Sequence, residues 1–371
     1  FYNRMAMKQV LPKVEAKKIY LNGTVQAVGF RPFVYRIANQ CDLNGWVKNL
    51  GDAGVEIFVQ GNSKDLQKFG KKLREENPPL SKIEDISEET ATPKEDIDYF
   101  EIRKSSSGSS GSGTIPPDIA TCDQCLEDVF GEGRYSGYWA TSCVNCGPRF
   151  TVIKSLPYDR DKTSMDDFPM CDDCRKEYTD PLDRRHHAQT IACPECGPEL
   201  SYFRSENSVR KIEEDPVKMA ASDLKEGKIV AIHGLGGCHL ACNAEDDQSV
   251  RWLRKKLNRS QQPFALMSTE GMLNSIVELS EDERKLINSP RRPIIILDER
   301  EDSTLSEFVS PGLHTVGVML PYTALHHLIF DKLDFPLVMT SANMPGKPML
   351  VEPENIKNGL KDIADGFLLH N

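Results

Sequence analysis

The chain has 371 residues, 46 lysines and arginines against 56 aspartates and glutamates, and 39% hydrophobic residues. That length fits two to four domains with ordinary cores. No apolar stretch approaches membrane-spanning length, and a net charge of −10 argues against a general nucleic-acid coat, so small anions and proteins are the expected partners.

In the first unit, about 14 to 104, apolar or alternating runs at Lys18 to Val25, Gly45 to Leu50, Val55 to Gln60, Ile83 to Glu88 and Tyr99 to Arg103 predict strands. Two stretches with apolar residues every three or four positions, Pro32 to Gln40 and Ser63 to Glu75, predict helices. The order β-α-β-β-α-β with a late additional strand outlines a ferredoxin-like α/β sandwich. Gln26-Ala27-Val28-Gly29-Phe30-Arg31-Pro32 joins the first strand to the first helix. Amides at a helix N-terminus form an anion cradle, here Gln26 to Phe30, and Arg31 can clamp a phosphate through two nitrogens.

A Ser/Gly tract from Ser105 to Gly113 reads as a flexible link to a second unit, about 115 to 200. Eight of the eleven cysteines of the chain fall there, in the Cys-x2-Cys pairs Cys122/Cys125, Cys143/Cys146, Cys171/Cys174 and Cys193/Cys196. Seventeen residues separate the halves of the first set and eighteen those of the second, the spacing of four-thiolate zinc knuckles. Two structural zinc ions are therefore expected. Sequential and nested pairing satisfy the same ligand count, and shorter loop closure favours the sequential one. The N-terminal run lacks the pattern of a secretory signal and the cysteine total is odd, which points to a reducing, cytoplasmic location rather than a disulfide framework.

The third unit, about 208 to 371, opens with a charged stretch, Arg204 to Asp215, ahead of the apolar run Lys228 to His233. Thr340-Ser341-Ala342-Asn343 follows the apolar run Phe335 to Met339, so these residues are expected at a strand end, where ligands tend to bind. His326-His327 falls in an apolar helical stretch, Thr323 to Phe330, and is expected in a core or interface; Cys238 and Cys242 read as small buried hydrophobes.

Gly23-Thr-Val-Gln-Ala-Val-Gly-Phe-Arg31, followed by Gly45-Trp-Val-Lys-Asn49, resembles the two signatures of the acylphosphatase family. That resemblance implies a phosphate-holding role for Arg31 and a water-orienting role for Asn49, with Ala27 standing where the family usually has Gly. The motifs Leu156-Pro-Tyr-Asp-Arg160, Asp183-Arg-Arg-His-His187-Ala-Gln and Cys193-Pro-Glu-Cys196-Gly-Pro, together with Gly234-Leu-Gly-Gly237, Pro263-Phe-Ala-Leu-Met267, Gly317-Val-Met-Leu-Pro-Tyr322 and Thr340-Ser-Ala-Asn343, extend the resemblance to the HypF family of hydrogenase maturation factors.

The resemblance implies an α+β multidomain chain: an acylphosphatase-like sandwich, a zinc-knuckle domain and a YrdC-like α/β domain. It implies a carbamoyltransferase that hydrolyses carbamoyl phosphate at the first site and forms carbamoyl adenylate from ATP, with magnesium, at the YrdC-like site. The carbamoyl group would then pass to the C-terminal cysteine of a HypE-like partner. The family's Kae1-like domain has no counterpart, so the chain reads as a C-terminally truncated, N-terminal part.

Lys256, Arg259, Arg292, Thr340, Ser341 and Asn343 are the expected nucleotide-binding residues, and His187 a further candidate facing the nucleotide or supporting zinc. His233, Leu257 and Gln262 stand where the family usually has lysine. The competing expectation is a zinc-stabilised binding module for a protein partner or RNA, with a degenerate nucleotide site.

Overall fold

Period-two patterning in the first unit produces strands β1 (Glu15–Thr24), β2 (Asn44–Asn49), β3 (Val55–Gly61), β4 (Lys82–Ala91) and β5 (Phe100–Ile102), with helices α1 (Phe30–Gln40) and α2 (Ser63–Glu75). The computed structural model describes residues 14–26, 28–50, 54–78, 80–104, 117–156, 158–205, 209–343 and 349–371. Ala27 and the Ser105 to Gly113 tract lie outside them.

The strands form one sheet in the order β4-β1-β3-β2-β5, antiparallel except for the β2–β5 pair. Phe33, Val34 and Ile37 of α1 and Leu66, Phe69 and Leu73 of α2 close over Ile19, Leu21, Val47, Ile57 and Val59 of the sheet. On the opposite face Trp46 stacks on Phe58 with ring centroids 6.0 Å apart. This is the expected ferredoxin-like sandwich, with boundaries within a few residues of the sequence reading. Gly45, with φ 147°, makes the close approach between β2 and β3 possible, because a Cβ there would lie 1.9 Å from the Phe58 carbonyl oxygen.

The chain folds into two compact units. The first holds residues up to Pro117, Ile153–Asp166 and Arg175–Gln189; the second holds Asp118–Val152, Asp167–Cys174 and Thr190–Asn371. The expected middle unit, about 115 to 200, is therefore distributed between the two. Its regular elements are α3 (Asp123–Phe130), two 3-10 turns at Arg160–Lys162 and Ser164–Asp167, and α4 (Asp172–Thr179).

The second unit continues with β6 (Leu200–Ser205), β7 (Val209–Ile212), α5 (Pro216–Lys225), β8 (Val230–Gly234), β9 (Gly237–Asn243), α6 (Asp247–Leu257), β10 (Ala265–Met267) and α7 (Glu270–Leu273). It closes with α8 (Glu281–Ile287), β11 (Ile295–Asp298), β12 (Thr315–Met319), α9 (Ala324–Phe330), β13 (Leu337–Ser341), α10 (Pro353–Leu360) and β14 (Gly366–His370). Nine strands form a mixed sheet in the order β11-β12-β10-β13-β9-β8-β14-β6-β7.

Central strands of this sheet read as continuous apolar runs because both faces are covered: every residue of β8 is buried. Cys238 and Cys242 pack in its core as expected. Asp223 of α5 is fully buried and accepts bonds from Tyr202 (2.7 Å), Arg204 (2.6 Å) and Lys228 (3.0 Å). Burial alone would raise its pKa, but these three donors more than offset that and hold it below the usual carboxylate range. The pairing joins α5 to β6 and to the start of β8. Among the described residues, no helix is long and apolar enough to cross a membrane.

Candidate functional site

The segment expected to form an anion cradle, Gln26 to Phe30, leads into α1, with Ala27 outside the described residues. Gly29 caps α1 in the left-handed region (φ 72°, ψ 17°), a conformation that costs a residue with a Cβ but not glycine. The side chains of Val28 and Phe30 are buried in the core, which anchors the turn from both sides of Gly29. Gln26 donates through Nε2 to the Gly54 carbonyl at 3.1 Å and ties the turn to the start of β3. Arg31 follows in the first helical turn, ahead of Pro32. Both of its hydrogen bonds leave from Nη2, to Asp159 Oδ1 at 2.9 Å and to the Tyr158 carbonyl at 3.5 Å.

Asn49 ends β2 with 1% of its surface exposed, and among the described residues neither its Oδ1 nor its Nδ2 has a hydrogen-bond partner. An orphaned buried carboxamide costs about 1–3 kcal/mol unless a water or a ligand supplies the missing bonds.

His187 lies in the same unit. Its backbone N–H donates to the Tyr178 carbonyl at 2.9 Å with φ at 56°, and its ring lies 4.9 Å from the Tyr178 ring. Burial, then the positive charge of Arg31, hold its pKa down to about 3, so it is a neutral neighbour of the cradle at pH 7. Gln189 organises this wall: its carboxamide donates to the His187 carbonyl (2.7 Å) and accepts from Tyr178 Oη (3.2 Å) and from the Arg160 amide (2.8 Å). Asp159, Tyr178 and Gln189 were not singled out from the sequence. Asp159 and Gln189 were signalled only by membership of two ordered motifs, and Tyr178 by none, because the contacts that matter join residues apart in the chain.

The eight knuckle cysteines form two clusters in the second unit, Cys122, Cys125, Cys143 and Cys146, and Cys171, Cys174, Cys193 and Cys196. Within each cluster all four sulfurs lie within 4.8 Å of one another, which is the sequential pairing. Sulfur contacts run from 3.6 to 3.7 Å in the first cluster and from 3.5 to 3.8 Å in the second. Four thiolates at about 2.3 Å from a zinc ion define a tetrahedron with edges of about 3.8 Å, so both donor sets fit zinc.

Two arginines support the clusters. Arg134 donates through Nη2 to Cys174 Sγ at 3.1 Å and to Cys171 Sγ at 3.5 Å, which offsets thiolate charge. Arg149 is 2% exposed and donates to the carbonyls of Cys146, Gly147, Pro148 and Val144 at 2.8 to 3.0 Å.

The expected nucleotide residues are only partly gathered. Asn258 ends α6 in the left-handed region (φ 51°) and turns the chain so that Arg259 Nη1 donates to Thr340 Oγ1 at 2.8 Å. Thr340 and Ser341 are the last residues of β13, and Ser341 Oγ donates to Asn343 Oδ1 at 2.7 Å. Lys256 instead extends over the Trp252 ring, 4.6 Å from its centroid. Arg292 bonds to Asn288 Oδ1 (3.0 Å) and the Ile287 carbonyl (3.3 Å), leaves its buried Nε without a partner among the described residues, and lines a cavity of about 230 Å³ with Asp118, Leu235, Arg291, Tyr322 and Thr323.

The three positions of implied lysines differ in kind. His233 is 6% exposed in a ring stack, Leu257 is 2% exposed in the core, and Gln262 is exposed. Leu257 was expected to mark a missing phosphate contact; its side chain packs inward, so this position of α6 addresses the core rather than a ligand.

Three family models match the chain in succession: "Acylphosphatase" over residues 17–102, "HypF finger" over 121–153 and 170–203, and the Sua5, YciO and YrdC family described as "Telomere recombination" over 222–371. "Carbamoyltransferase HypF" of Rhodobacter capsulatus is 44% identical over 360 residues, covering 96% of this chain and 47% of that protein. The chain belongs to the HypF family. "Probable carbamoyltransferase HypF" of Methanocaldococcus jannaschii is 45% identical over 358 residues, covering 95% of this chain and 46% of that HypF protein. A crystal structure of full-length HypF in the phosphate- and nucleotide-bound form aligns with a TM-score of 0.92 at 42% identity, covering 98% of this chain and 47% of that one. The chain thus spans about half the length of the HypF relatives it matches.

Proposed function

We propose that the chain performs the first steps of carbamoyl transfer: hydrolysis of carbamoyl phosphate to carbamate and phosphate at Arg31 and Asn49, then reaction of carbamate with ATP to give carbamoyl adenylate and pyrophosphate. The observation that carries this reading is the buried, unpartnered carboxamide of Asn49 in the unit whose Gly29 turn presents Arg31. An acyl phosphate has a good leaving group. A charged cradle built on Gln26 to Phe30 and one water oriented by Asn49 therefore suffice, without a covalent nucleophile. The two zinc ions would be structural, held by the eight cysteines with no open position for a substrate.

For the second step, Arg259, Thr340, Ser341 and Asn343 are the proposed contacts to ATP, with Arg292 and Lys256 as accessory cations, and magnesium accompanies the nucleotide. The carbamoyl group would go to the C-terminal cysteine of a HypE-like partner. We place the functional modules at 14–104, 115–200 and 208–371, and the protein in the cytoplasm, where eight thiolates stay reduced. The test is phosphate release from carbamoyl phosphate, expected in the wild type and lost in Arg31→Ala and Asn49→Ala. Unchanged release in both variants would sink the assignment.

The absence of lysine at His233 and Gln262 favours one alternative, a zinc-stabilised module that binds a protein partner or RNA and no nucleotide. Calorimetric titration with ATP separates the two: heat of binding supports adenylation, and silence from a folded chain supports the alternative.

A further inference from the structure

Arg31 already holds an anion. Its Nη2 donates to Asp159 Oδ1 at 2.9 Å, in a pair whose side chains are 10% and 27% exposed. Asp159 does not come from the ferredoxin-like sandwich; it is brought to Arg31 by the Ile153–Asp166 segment of the same compact unit. The backbone beside it is fixed, because the Arg160 amide donates to Gln189 Oε1 at 2.8 Å and Arg160 Nη1 donates to the Gln189 carbonyl at 2.8 Å. The carboxylate can therefore leave Arg31 by side-chain rotation and remain within reach of it.

A guanidinium grips a phosphate best through two parallel N–H donors, and here the Nη2 donor is engaged by a carboxylate. A phosphate dianion and Asp159 repel one another across one cation, so full engagement of the phosphate requires Asp159 to move aside. The neighbouring His187 is neutral and offers no second positive charge to hold both.

We propose, on the reading that Arg31 binds the phosphoryl group, that Asp159 is a resident counter-anion of this site. Substrate phosphate displaces it, and its return to Arg31 drives inorganic phosphate out after hydrolysis. Asp159 thereby weakens product binding and keeps the site free at high phosphate concentration.

The experiment uses the zinc-loaded chain and inorganic phosphate as the probe, followed by calorimetry and by phosphate inhibition of carbamoyl phosphate hydrolysis. Asp159→Asn keeps the shape and removes the charge; it should bind phosphate at least tenfold more tightly and be inhibited at correspondingly lower phosphate. Asp159→Glu keeps the charge and should stay within about threefold of the wild type. Unchanged or weaker phosphate binding in Asp159→Asn overturns the proposal and makes Asp159 a positioning residue for Arg31. Should Asp159→Asn lose its thermal transition or its zinc, Asp159→Ser carries the same expectations. Phosphate binding that survives Arg31→Ala refutes the underlying site assignment instead, whatever Asp159 does.

Discussion

His233 lies flat against His370, with ring centroids 3.9 Å apart and planes 6° from parallel. Trp139 covers the other side of His370 at 4.8 Å, so three rings form one stack in the second unit. Burial, then the proximity of His370, hold the His233 pKa down to about 3. At pH 7 this ring carries no charge and cannot do the work of a lysine.

His233→Ala should lower the unfolding free energy by about 1–3 kcal/mol through lost packing, read from urea denaturation. His233→Gln should change ATP affinity by less than about threefold at pH 7.5, measured by calorimetry, because no cation is removed.

Asn49 offers the opposite trade. Since both polar atoms of its side chain are buried without partners, Asn49→Ala removes an uncompensated desolvation cost. The variant should be as stable as the wild type or up to about 2 kcal/mol more stable, while carbamoyl phosphate hydrolysis falls at least about a hundredfold. Thermal denaturation and phosphate release on the same preparation check both halves.

Zinc analysis should return about two ions per chain, as eight thiolates at four per site require. Arg134→Ala should make the cluster of Cys171, Cys174, Cys193 and Cys196 release zinc about tenfold faster to a chromogenic chelator, leaving the other cluster unchanged. Two release phases, of which one accelerates, are the expected record; acceleration of both phases or neither would contradict the role given to Arg134.

His326 in α9 is 1% exposed, with Nδ1 3.0 Å from Thr323 Oγ1, Nε2 unpartnered among the described residues, the Tyr322 ring 4.4 Å away and His239 and His327 nearby. Burial, followed by the charges of His239 and His327, lowers its pKa to about 3 from an unfolded value of 6.5. Above pH 6.5 both states are neutral and the full stability is present; as pH falls from 6.5 toward 3 the unfolded chain takes up a proton that the folded chain refuses, and stability declines. His326→Gln should lessen that decline by about 1.4 kcal/mol per pH unit, read from denaturation midpoints between about pH 6 and 4.5.

Local features were legible in the sequence because they are local. The strands and helices of the sandwich follow from period-two and period-3.6 patterning, the cysteine knuckles from spacing, and their sequential pairing from loop closure. Arg31 stood out through the resemblance of Gly23 to Arg31 to an acylphosphatase signature, since a turn with one glycine and an arginine is weak evidence by itself. Asp159 and Gln189 escaped because their contacts join residues separated by 128 and 29 positions, respectively, and neither pattern nor composition encodes such pairs. Arg149 was hidden in a cysteine motif whose sulfurs carry the stronger signal. Leu257 was read as a lost phosphate contact because a motif position says nothing of which face of a helix it occupies.

Arg149 braces the loop that carries the second pair of thiols of the first cluster. Its guanidinium collects the carbonyls of Val144, Cys146, Gly147 and Pro148, and its backbone amide donates to Asp118 at 2.7 Å. None of these bonds uses a sulfur, whereas the Asn145 amide donates to Cys143 Sγ at 3.4 Å, so the curve of this knuckle is braced from its carbonyl side as well as through its thiols.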